Sequence, residues 1–146
     1  MIAIKFLKIG TAVLLTVCIL VFTWIYPFKL PNENDFLLEV EFPTNISAGE
    51  AVKFSCRLKN NTHKLLKTEH AAHIISYEFN GEKENMIQTA IEDYFLPYQS
   101  EERIISHIFK EQGEYAVTVF AEFDILKGKE KRSVLLEKEI SVAVGA

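Results

Sequence analysis

The chain has 146 residues, 49% of them hydrophobic and 25% charged, with two cysteines and a formal charge of −4. That length is one domain's worth, and 16 basic residues scattered among 20 acidic ones leave no basic surface for nucleic acid. Six glycines and four prolines exclude a collagen or low-complexity chain, and two cysteines exclude a disulfide-rich scaffold or a four-thiolate zinc site.

Charge is placed unevenly along the chain. Residues 1–28 carry only Lys5 and Lys8, so residues 29–146 hold 14 basic against 20 acidic side chains, net −6. Residues 9–28, IGTAVLLTVCILVFTWIYPF, have no charge at all. As a helix rising about 1.5 Å per residue they reach roughly 30 Å, the thickness of a hydrocarbon core. Two lysines before the run, and Trp24 and Tyr26 near its end, predict a single transmembrane helix with residues 1–8 in the cytoplasm. A cleaved signal peptide is the competing reading, but its apolar region is usually about 7–15 residues and ends in a small-x-small site. Tyr26-Pro27-Phe28-Lys29 offers none. A lipoprotein anchored through Cys18 is a third reading; Val17 precedes that cysteine and eight apolar residues follow it.

Residues 29–36 close the two-proline stretch PFKLPNENDF and read as a stalk. Beyond it the hydrophobic period becomes two. In residues 51–59, Val52, Phe54, Cys56 and Leu58 alternate with Lys53, Ser55, Arg57 and Lys59, a half-buried strand. Similar runs occupy residues 37–42, 73–79, 101–110, 115–125 and 133–144, with a weaker one at 86–92 that could instead be a helical turn. Asn80-Gly81 and the polar tip at residues 127–131 mark turns. Seven strands in residues 37–146 predict an all-β, seven-stranded antiparallel sandwich, preceded by the one helix.

Gly113-Glu114-Tyr115-Ala116-Val117-Thr118-Val119 resembles the start of strand F in immunoglobulin-like domains. The resemblance implies a tyrosine corner, in which the Tyr115 hydroxyl turns back onto upstream backbone. Cys56 would then face Val117 where antibody domains carry their disulfide, and the only tryptophan lies in the apolar run rather than the core. The chain is therefore more similar to disulfide-free, membrane-anchored immunoglobulin-like domains of bacterial surface proteins. Ser47-Ala48-Gly49-Glu50 through Asn60-Asn61-Thr62 is similar to extracytoplasmic modules of Bacillus-like bacteria. A more distant resemblance is to the bacterial intracellular proteinase inhibitor sandwich.

Three groups of residues carry possible chemistry. His63, His70 and His73 fall within eleven residues near Glu69, with His107 in another strand, and neutral imidazoles ligate zinc or copper. Tyr94, Phe95, Leu96, Pro97 and Tyr98 form an aromatic loop which, with an outward Phe120, is a candidate partner surface. The pairs Glu92-Asp93 and Glu101-Glu102 are chain neighbours, whereas acid–base catalysis needs carboxylates converging across a cleft. Nothing in the sequence resembles a phosphate loop, a nucleophile elbow or a His-Glu-x-x-His metal helix. The expectation is a non-catalytic module without a cofactor that binds another envelope protein through a sheet edge or the 94–98 loop. The alternatives are a small extracytoplasmic metal-binding protein and a proteinase inhibitor.

Overall fold

The structure is a computed structural model and describes residues 2–26, 29–83 and 89–146, the backbone alone for residues 2–12. Helix α1 runs Ile2–Ile25, starting before the uncharged run and stopping short of its end. Among the described residues no helix is both long and apolar enough to cross a membrane. A 3₁₀ turn, Glu33–Asp35, follows. Nine strands come next: β1 (Phe36–Glu41), β2 (Ala51–Asn60), β3 (Leu66–His70), β4 (Ile75–Phe79), β5 (Glu82–Lys83), β6 (Ile91–Phe95), β7 (Ser100–Ile108), β8 (Gly113–Lys127) and β9 (Glu130–Val144).

The strands form two antiparallel sheets, β1-β2-β7 and β5-β4-β8-β3-β6, with β9 on β8. β8 pairs with β9 over its whole length and, on its other side, with β4 through residues 117–121 and β3 through residues 124–126. Thus β3 and β4 are two pieces of one sheet position, and β5 and β6 two pieces of the next. Seven positions remain, in the order of an immunoglobulin-like sandwich, so the expected architecture holds while two strands are each broken once. The break was not anticipated because residues 66–70 carry only Leu66 and Thr68 inward and read as loop. Of the weak strand expected at 86–92, residues 86–88 lie outside the described residues; Ile91–Phe95 is extended, not helical.

The core lies between the sheets. Cys56 and Leu58 of β2 and Val117, Val119, Ala121, Phe123 and Ile125 of β8 belong to one core cluster, all essentially buried. Aromatic rings fill its two ends: Phe36, Phe95 and Phe123 at one, and Phe54, Tyr77, Phe79 and Phe109 at the other. Burial pushes the Cys56 thiol up to about 11, with Arg103 only partly opposing it. The thiol stays protonated and unreactive at neutral pH.

Two turns follow sequence chemistry closely. Asn80 (φ 47°) and Gly81 (φ 86°) both adopt the left-handed conformation that a tight β4–β5 hairpin requires. The Tyr115 hydroxyl donates to the Glu111 carbonyl at 2.8 Å, which is the tyrosine corner. The supposed stalk, in contrast, is fastened to the sandwich. Leu30 and Pro31 are buried, and the Arg132 guanidinium of β9 donates to the carbonyls of Leu30 (2.8 Å) and Pro31 (3.3 Å). Leu30 enters the core cluster, and Asn32 and Asp35 close a capping box, so residues 29–36 behave as part of the domain. Replacing Tyr115 by Phe removes one hydrogen bond and should lower unfolding free energy by about 1 kcal/mol. Urea melts of the full chain, with unchanged β content, check it.

Candidate functional site

The four histidines occupy three separate places. His63 stacks on the Trp24 ring of α1, with centroids 4.6 Å apart. His70 ends β3, and its Nδ1 donates to the Ala71 carbonyl at 2.6 Å. His73 is exposed in the β3–β4 break. The length of β3 thus separates His63 from the other two. His107 stacks on Phe79 at 3.8 Å and meets Phe109 edge-on at 4.7 Å, so it is an aromatic-core residue. Among the described residues, no three His, Cys, Asp or Glu side chains are placed to hold a metal. The alternative metal reading required His70 to lie in a loop, and His70 instead ends strand β3.

His70 and His73 do line an open groove of about 820 Å³ on the outer face of the larger sheet, together with Glu69, Ser76, Phe120 and Asp124. Its carboxylates are already engaged. Lys131 lies 2.7 Å from Glu69 and 2.8 Å from Asp124, and Ser133 donates to Asp124 at 2.6 Å. Burial works against the Asp124 charge, but the Lys131 and Ser133 hydrogen bonds outweigh it and hold its carboxyl below its ordinary value. Phe120 lies half-buried beneath the Lys83 ammonium at 5.2 Å. It sits six residues along β8 from Leu126, the partner of Lys67 beside Tyr94, or about 20 Å at roughly 3.3 Å per residue. Phe120 and the 94–98 loop are therefore two surfaces, not one.

The loop itself divides. Phe95 is buried, 3% exposed, against Phe36 and Phe123, whereas Tyr94, Leu96 and Tyr98 are 57%, 51% and 57% exposed. Strand alternation explains this, because residue 95 points inward from β6 and its neighbours point out. Asn60, fully buried, fixes the loop. Its amide nitrogen donates to the carbonyls of Lys64 (3.1 Å) and Leu96 (2.9 Å), and its oxygen accepts from the Thr62 amide (2.9 Å) and hydroxyl (2.7 Å). What buries Asn60 is the approach of residues 96–99, distant along the chain.

The carboxylate pairs do not converge. Glu92 meets Lys67 at 2.5 Å, Asp93 accepts from the Tyr94 amide, Glu101 accepts from the Gln99 side chain, and Glu102 faces Arg57 at 3.9 Å. A feature missed in the sequence lies on β7. Among the described residues this nine-residue strand pairs only with β2, leaving an open edge. Its outward face carries Ile104 and Ile108, 68% and 53% exposed. The adjacent apolar pairs Ile104-Ile105 and Ile108-Phe109 were the available signal.

No family model and no curated protein matches the chain. Several solved structures resemble it. A CARDB domain from Pyrococcus furiosus, in complex with di-metal ions, is 12% identical with a TM-score of 0.48, over 75% of this chain and 92% of that one. The seventh PapD-like domain of human CEP192 is 16% identical with a TM-score of 0.46, over 82% and 92%. A protein from Archaeoglobus fulgidus is 11% identical with a TM-score of 0.42, over 75% and 99%.

Burial alone lowers the His107 pKa beneath 6.5. Because the unfolded chain then takes up that proton first, stability should be full above pH 6.5 and fall as pH drops through the folded value. A His107→Gln variant should show a flatter loss between about pH 7 and 5.5, read by urea melts at each pH.

Proposed function

We propose that the protein is a single-pass membrane protein of the bacterial envelope, cytoplasmic at its N-terminus, whose sandwich is a non-catalytic binding module. Its ligand is an extended segment of another envelope protein, added as a strand alongside β7. The observation that carries this reading is the open β7 edge. An edge strand presents unpaired N–H and C=O groups that template a further strand, and soluble domains usually blunt such edges with lysine, proline or a bulge. β7 has no lysine or proline and adds two exposed isoleucines.

The membrane anchor is read from the uncharged sequence of residues 9–28 and the surface of α1, although over its described residues the helix is not by itself long and apolar enough to cross a membrane. Val13, Leu14, Leu15, Val17, Ile19, Leu20, Val21, Phe22 and Trp24 are exposed, without a sandwich strand over them. Burying each such side chain is worth roughly 1.5–3 kcal/mol, which a bilayer would supply. Lys5 and Lys8 on the near side favour the proposed orientation.

In membranes, the native full chain should resist alkaline extraction, and Leu15→Lys with Ile19→Lys should release it. A photo-crosslinking residue at Ser106 should give a discrete adduct that Ile104→Lys with Ile108→Lys abolishes while leaving the urea melt unchanged. Extraction of the native chain at alkaline pH would sink the anchor; adducts indifferent to the lysines would sink the β7 edge.

A further inference from the structure

We infer that the base of the sandwich rests on the lipid headgroup layer, with Tyr94, Leu96 and Tyr98 immersed among the headgroups beside Trp24. The inference depends on the anchor reading and specifies the surface of the 94–98 loop. The helix end is held directly against the sandwich. The Leu65 amide donates to the Ile25 carbonyl at 3.2 Å, the Lys64 ammonium donates to the Trp24 carbonyl, and His63 stacks on the Trp24 ring. Wherever α1 leaves the hydrocarbon, residues 63–65 are there too.

The aromatic loop is tied to the same turn. The Tyr98 amide donates to the Thr62 carbonyl at 3.1 Å, one residue from His63, and buried Asn60 joins Leu96 to Lys64. Leu96 and Tyr98 are therefore tied to the turn that holds Trp24, and Tyr94 pairs with Lys67, two residues beyond Leu65. Tyrosine and tryptophan, with an apolar body and a polar tip, favour that boundary over either water or hydrocarbon. Tyr98 also holds a left-handed backbone (φ 58°), which costs a bulky residue about 1 kcal/mol or more that glycine or asparagine would largely escape. An exposed tyrosine ring at such a position is what the headgroup layer would use. A protein partner is the other possible occupant, but only the bilayer is already brought to this face by the chain's own helix.

The test uses full-length protein in phosphatidylcholine vesicles whose acyl chains are brominated near the carbonyl. Trp24 is the sole native tryptophan and reports the anchor. Trp24→Phe with Tyr98→Trp reports the loop, and Trp24→Phe with Tyr94→Trp gives the same readout from β6 should the strained position reject tryptophan. Expected are blue-shifted emission and clear quenching by the brominated lipid at position 98 or 94. Quenching of Trp24 with water-exposed, unquenched emission from the loop would overturn the inference and leave the anchor standing. Blue-shifted but unquenched loop emission would assign the surface to a protein and also overturn it. Absence of quenching at all three positions would overturn both readings.

Discussion

Strand β8 is the member on which the other strands depend. It is hydrogen-bonded on both sides, to β9 along its full length and to β4 and β3 on the other flank. Its inward side chains, from Val117 to Ile125, contain no polar group and are essentially removed from water. Slipping β8 by one residue would turn Thr118, Phe120, Glu122 and Asp124 into the core, so one strand's alternation fixes the register of its three pairing partners. Cys56 and Val117, where the resemblance would place a disulfide, are both completely buried in the one core cluster without a covalent link.

The periodicity of β2 and β8 was readable because the apolar residues Val52 to Leu58 and Val117 to Ile125 alternate with outward neighbours that are polar except for Phe120. The tyrosine corner was readable for a similar reason, as a local motif that requires only four residues of chain to close. The break between β3 and β4 was not, because it depends on which part of β8 each piece meets. Leu66-Lys67-Thr68-Glu69-His70 has too little apolar alternation to announce a strand. Its extension comes from pairing on both sides, with β8 and β6.

The candidate site was legible residue by residue and misjudged in how residues group. Tyr94, Leu96 and Tyr98 are indeed exposed, but Phe95 between them is core, and Phe120 lies about 20 Å away along the sheet. Treating residues 94–98 as loop ignored the period of two that continues through Phe95. The histidines were near one another in sequence, yet a strand five residues long is enough to carry His63 and His70 to different ends of the sheet. Asn60 shows the converse: nothing local marks a core residue, but the return of the chain at Leu96 makes its amide a four-bond junction.

The clasp between Arg132 and the carbonyls of Leu30 and Pro31 has a mechanical consequence. A domain on a loose leash sweeps a wide volume and meets partners at many heights and angles. Here the chain between helix and sandwich is pinned at Arg132, and the helix end is pinned again at residues 63–65. Two fixings remove the swivel that one would allow. In a bilayer the open edge of β7 would thus be offered at a set height and bearing. Lateral diffusion in the membrane plane, rather than reach, would then govern how often it meets another chain.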